Sequence, residues 1–370
     1  MNRARPSLPS AVSLLGLLLV ACDVIEPAVV LDTLEWVAVS AGREHTCALS
    51  VDARLACWGA NDRGQLGTGD SADRSDATFV LTSVRFLAVS SGGRHTCAIG
   101  LERELWCWGA NDLGQLGDGT SWDRRIPVLA NVQGPFGDVS AGAEHTCVVR
   151  ASAEGMCWGA NQAGQVGSGV LTHGGIPPSP LRGALSFAVV SAGGTHSCGV
   201  ANGGSGFCWG GNQTGSLGTG TLIDSSSPVI VWGERPFRVL RAGDTHSCGI
   251  DDQARGWCWG NNQFAQVVSA SVSITGSPVS RSGAALRDIG VGEHWTCALL
   301  IDRRLDVIAG GDVRCWGVRW DRTAADGSHP VSRDGWAPEI ASAGTPVALA
   351  VGARHACIVS EAMRVFCWGE

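Results

Sequence analysis

The sequence predicts an all-β protein built from repeats of about fifty residues, on three observations. The stretch GREHTCALSVDARLACWGANDRGQLG, residues 42–67, returns in recognisable form six more times, from Gly93, Ala143, Gly194, Asp244, Glu293 and Ala353. The second cysteine of each copy falls at 57, 107, 157, 208, 258, 315 and 367, a spacing broken only by a longer sixth unit. The chain holds 52 Gly and 14 Pro between short apolar runs, and no amphipathic helix of useful length is legible after residue 30. A fixed period of this size marks a solenoid or a propeller, so the repeat is the unit to explain.

The N-terminus is a different kind of segment. Arg3 and Arg5 precede an apolar run from Ala11 to Ala21 that is too short to span a bilayer, the pattern of an export signal. It ends Leu19-Val20-Ala21-Cys22, which resembles the lipobox of bacterial lipoproteins and marks Cys22 as the lipidated first residue of the mature chain. The expected organisation is a signal peptide over 1–21, a lipid-anchored tether over 22–26 and the repeats over 27–370. The protein is then exported and held in the cell envelope, on its periplasmic side or at the surface.

Fifteen cysteines less Cys22 leave fourteen, two per repeat. If the first pair flanks a β-hairpin turning around Val51-Asp52-Ala53, Cys47 lies opposite Cys57. Opposed antiparallel residues are about 4.5–5.5 Å apart at Cα, inside the roughly 4.4–6.8 Å that a disulfide needs. An exported protein meets an oxidising compartment. The expected bonds are Cys47 to Cys57, Cys97 to Cys107, Cys147 to Cys157, Cys198 to Cys208, Cys248 to Cys258, Cys297 to Cys315 and Cys357 to Cys367. Zinc is the weaker reading, because close C-x-x-C pairs are missing and three converging ligands would need a fourth. No metal and no cofactor are expected.

The same register puts His45, Cys47, Leu49, Leu55, Cys57 and Gly59 on one side of the hairpin and Thr46, Ala48, Ala56 and Trp58 on the other. Opposite a glycine, the imidazole has room to fold over the hairpin end toward a neighbouring backbone group. A histidine recurring in all seven units (His45, His95, His145, His196, His246, His294, His355) reads as a scaffold residue and not as seven catalytic bases.

SAG-x-x-HTCAL, then CWG-x-N-x-x-GQLG-x-G, then a Pro-Val strand, resembles the repeat of the regulator of chromosome condensation family. That resemblance implies a seven-bladed β-propeller of four-stranded antiparallel blades. The paired cysteines, where the family usually has apolar residues, look like an exported variant. The chain stops after the seventh CWG strand, so Pro27–Leu31 is expected to supply the last strand and close the ring. Two departures stand out: Gln263-Phe264-Ala265-Gln266-Val267 replaces the Gly-Gln-Leu-Gly turn in unit five, and nothing like that turn follows Trp316-Gly317.

Function is less legible. The net charge of −7 gives no footprint for nucleic acid, and the chain contains no Lys or Tyr. No nucleophile elbow, phosphate loop, His-Glu-x-x-His helix or calcium loop occurs, and Asp118, Asp123 and Asp321 read as solvated loop acids. The founding member of the family promotes nucleotide exchange on a small GTPase, a partner an exported protein would not meet. The reading is a monomeric, non-enzymatic binding protein for an unidentified protein partner; the alternative is a hydrolase or lyase acting on extracellular polysaccharide. The candidate contact patch is in unit six, whose hairpin is eight residues longer and which continues through Arg319, Trp320, Arg322 and Trp336.

Overall fold

The computed structural model describes residues 34–267, 273–281, 285–301, 310–318, 335–336 and 344–369. In the first unit, β1 (Trp36–Ala41), β2 (His45–Ser50), β3 (Leu55–Gly59) and β4 (Arg74–Phe79) form one antiparallel sheet in chain order. The β2–β3 hairpin pairs His45 with Gly59, Cys47 with Cys57 and Leu49 with Leu55. Its turn places Ala53 at φ 65°. The pattern repeats as six four-stranded sheets and a seventh with three described strands, Pro346–Val351, His355–Ser360 and Val365–Gly369. The protein is a seven-bladed β-propeller.

Both faces of β2 are buried because each blade is stacked between two others. The face carrying Cys47, Leu49, Leu55 and Cys57 packs, with Leu66, against Phe86, Ala98 and Trp108 of the second blade. Trp108, Trp158, Trp209 and Trp259 are wholly buried at successive junctions. Each removes about 200 Å² of aromatic surface from water, on the order of 5 kcal/mol of transfer free energy. The first strand of each blade lines an axial channel. Turns between first and second strands (42–44 in blade one) and the long connections after the third (60–73) lie on one face, here the loop face. Hairpin turns such as 51–54 lie on the other.

The ring closes on itself. Trp36 N donates to Met363 O at 2.8 Å, repeating Phe86 N to Ala53 O and Phe136 N to Arg103 O, both 2.9 Å, so β1 meets blade seven as the first strands of blades two to six meet their predecessors. The expected closing strand Pro27–Leu31 lies outside the described residues, as do Cys22 and the segments expected as signal and tether.

Candidate functional site

Seven disulfides join the cysteines within each hairpin, six over a separation of 10 residues and Cys297–Cys315 over 18. Their Cα atoms are 4.0–4.1 Å apart, closer than the opposed-strand expectation. With the sulfurs bonded to each other, the histidines face a different partner.

That partner is a hydroxyl of the next blade, where the sequence suggested a backbone group. His45 Nε2 is 2.8 Å from Thr96 Oγ1, His95 is 2.9 Å from Thr146, and His145, His196 and His246 are each 2.8 Å from Ser197, Ser247 and Thr296. His355 returns to Thr46 at 2.7 Å. Thr96 Oγ1 itself donates to Gln65 O at 2.8 Å, and Trp108 Nε1 donates to the same carbonyl at 2.9 Å. A hydroxyl that spends its proton on a carbonyl must accept from the imidazole, so His45 carries its proton on Nε2. Burial, chiefly, holds these imidazoles neutral: His45, His95, His145 and His246 are pushed down to about 3, and His196 and His355 to about 4. Near neutral pH each is therefore neutral, buried and committed to a hydroxyl.

Unit six corrects the sequence reading. The residue paired across its hairpin with Gly317 is Trp295, and His294 stands one place earlier, so His294 is not a member of the series. Trp295 Nε1 donates to Gly352 O at 3.2 Å and Ala353 O at 2.9 Å. The reason lies across the junction: blade seven has Ala356 where the other blades have Thr or Ser, so a histidine there would find no hydroxyl. Unit five, by contrast, departs less than its sequence suggests. Gln266 O accepts from Thr296 at 3.0 Å and Trp316 at 2.7 Å, Val267 is fully buried, and Ala265 adopts φ 59° where other units use glycine.

Two of the loop acids brace the connections, and Asp321 lies outside the described residues. Asp118 accepts from Asn111, Thr120 and Arg124, and its side chain is only 6% exposed, so it is not a solvated acid. Asp123 accepts from Asn111 N and from Arg63.

Charge converges at one place that the sequence reading did not identify, the mouth of the axial channel. The channel holds about 130 Å³ and is walled by Gly, Ala, Ser and Val. A ring of backbone hydrogen bonds surrounds it, from Arg43 N to Gly92 O at 3.0 Å round to Ala353 N and Gly42 O at 3.2 Å. A Cβ on Gly42 would lie 2.4 Å from Gly92 O, which explains the glycine of each SAG run. The residue after that glycine is small in blades two, three, four and seven, but is Arg43, Asp244 and Glu293 in blades one, five and six. Glu293 lies 3.7 Å from His294, 3.8 Å from Arg354 and 3.9 Å from Arg43. Asp244 makes no ion pair among the described residues; burial first, then the Glu293 carboxylate, raise its pKa, against the pull of Arg43 and His294. The signal in the sequence was the non-repeating residue after SAG. Among the described residues no group of His, Cys, Asp and Glu is arranged to hold a metal ion.

Of the predicted patch, Arg319, Trp320 and Arg322 lie outside the described residues, and Trp336 is placed only by its backbone pairing with Arg314.

The regulator of chromosome condensation (RCC1) repeat matches residues 52–99, 104–149 and 204–250, and a second form of it matches 36–65 and 86–115. Residues 36–149 and 204–250 thus carry RCC1 repeats. A crystal structure of human WBSCR16 is similar with a TM-score of 0.74 and 18% identity, covering 89% of this chain and 88% of that one. Yeast RCC1 (Prp20), solved bound to Kap60, gives 0.69 and 17% over 92% and 81%. The ectodomain of the receptor kinase CR4 of Physcomitrella patens gives 0.54 and 21% over 91% and 74%. At these identities the likeness is one of fold. A comparison with curated protein sequences finds no match.

Proposed function

We propose that this protein is an exported, membrane-anchored, non-enzymatic RCC1-type propeller that binds a partner protein. Residues 1–21 would be its signal peptide, Cys22 the lipidated residue and 22–26 the tether, and seven disulfides suit an oxidising compartment. The observation that carries the binding reading is the break in sevenfold repetition at the channel mouth, where Arg43, Asp244 and Glu293 of blades one, five and six stand in place of the Gly or Ala of the other four blades. A ring that only had to close gains nothing from such a change, and variation on a repeat scaffold maps to working surfaces. Prp20p has been studied for its binding to Gsp1p and histones, so a propeller of this fold can act by gripping proteins.

Arg319, Trp320, Arg322 and Trp336 are the proposed contacts, on the sequence departure of unit six. The polysaccharide-hydrolase alternative gains no support from the Asp244–Glu293 pair, since Glu293 lies between Arg43 and Arg354 over a channel walled by small residues. The experiment is affinity capture from the cell envelope with the purified protein, followed by titration of the partner. Trp320→Ala is expected to weaken binding by on the order of 2 kcal/mol with an unchanged melting temperature; unchanged affinity would refute the patch.

A further inference from the structure

The loop face is unequal around the ring. At the tips of the long connections in blades two, three and four stand Trp122, Val170, Leu171, Leu222 and Ile223, with exposures of 74%, 55%, 62%, 50% and 74%. Blade one carries Asp70, Ser71 and Ala72 at the corresponding positions, with Arg74 donating to Asp70; in blade two Asp123, Arg124 and Arg125 follow Trp122. The contrast extends through the chain, because Arg182 is the sole charged residue between Gly155 and Ile223. The tips are neighbours: Gly169 N of the third connection donates to Ser226 O at 2.7 Å, a few residues from Ile223. Together they expose apolar surface on the order of 500 Å², near the largest patch of an ordinary monomer.

We infer that this edge of the loop face, blades two to four, rests on the lipid bilayer to which the protein is anchored. The inference rests on the proposed lipidation of Cys22. With Pro27–Leu31 as the closing strand of blade seven, the free tether is residues 22–26, a span of at most about 18 Å. The propeller is thereby held beside the membrane, and docking becomes an intramolecular step in which a modest apolar edge suffices. Equivalent positions of successive repeats share one height on the ring, so the tips present a level edge suited to a flat surface. A tryptophan flanked by aliphatic tips matches the side chains that settle at a membrane interface. The chain has no lysine and a net charge of −7, and beside Trp122 Arg124 is paired with Asp118 while Arg125 stands exposed, so attachment of the edge is chiefly apolar and only weakly sensitive to salt. Resting on blades two to four, the ring keeps the charged channel mouth in water and leaves blades five and six free for the partner.

The test uses the full chain purified from membranes and reconstituted on phosphatidylcholine vesicles containing doxyl-labelled phosphatidylcholine. Tryptophan emission is expected to be quenched to nearly the same extent in 0.05 M and 0.5 M salt. More than half of that quenching is lost in Trp122→Phe, which keeps the edge apolar but removes the reporter. Leu171→Ser with Ile223→Ser should also abolish it at an unchanged melting temperature. Quenching that persists in Trp122→Phe, or its absence from vesicle-bound protein, overturns the inference while leaving the anchor in place. So does a dimer in solution whose contact buries Trp122, which would assign the edge to a second copy. The mass of the N-terminal peptide reports acylation of Cys22 separately; if Cys22 is unmodified the anchor reading fails, and quenching in that sample decides the docking by itself.

Discussion

Replacing Thr146 by valine removes one oxygen from the seam between two blades and keeps the shape of the side chain. In the parent, Thr146 Oγ1 accepts from His95 Nε2 at 2.9 Å and donates to Gln115 O at 2.8 Å, while Trp158 Nε1 reaches the same carbonyl at 2.9 Å. In the variant the carbonyl keeps its tryptophan donor, but the His95 N–H, in a fully buried ring, is left without an acceptor. An orphaned buried donor costs about 1–3 kcal/mol, and the lost bond to the carbonyl adds about 0.5–1 kcal/mol, so a loss of about 2–4 kcal/mol is expected. Urea unfolding with disulfides intact measures it. The control is Thr78→Val, whose hydroxyl reaches only Asp76 O in an exposed strand and should stay within about 0.5 kcal/mol of the parent. Making His95 apolar in the Thr146→Val background should cost less than the two changes summed, because both partners are then gone. If Thr146→Val proves as stable as Thr78→Val, the histidine–hydroxyl ring contributes nothing and the argument is wrong.

Acid should unfold the protein steeply. The ring histidines are depressed to about 3 or 4 when folded and titrate near 6.5 when unfolded, so as pH falls from 6.5 the unfolded chain takes up protons first and stability declines toward the folded values. Each contributes about 1.4 kcal/mol per pH unit within that window, and proton uptake on unfolding near pH 5 should approach six; uptake near zero would mean the histidines are not held neutral. Peptide mass mapping without reduction should recover all seven hairpin disulfides, and removing both Cys147 and Cys157 should cost up to about 3 kcal/mol. A chain beginning at Asp32 should melt well below the full protein and should lose Cys357–Cys367 first to mild reductant, since Ala28-Val29-Val30-Leu31 stands fifty residues before Thr78-Phe79-Val80-Leu81 in repeat register. Equal melting would leave blade seven with no need of that segment.

Much was legible in the sequence because it is local. The two cysteines of a unit face each other across a turn of a few residues, so alternation along two short strands decides the disulfide, the facing of His45 on Gly59 and the sides of the hairpin. A fifty-residue period states that the unit repeats, and the glycines mark where chain meets chain. What each outward side chain meets is decided by another repeat, and no spacing within one unit carries that. The hydroxyl facing His45 is 51 residues away, and the one facing His355 is 309 away. The offset of His294 is legible within its unit, since it stands three residues before Cys297 where the other histidines stand two before their cysteines; why tryptophan fills the true position is explained only by Ala356 across the junction. The channel mouth is likewise a property of closure. Arg43, Asp244 and Glu293 are scattered along the chain, and a seven-bladed ring brings one residue of every repeat to a single axis, where three charges among small neighbours become one site.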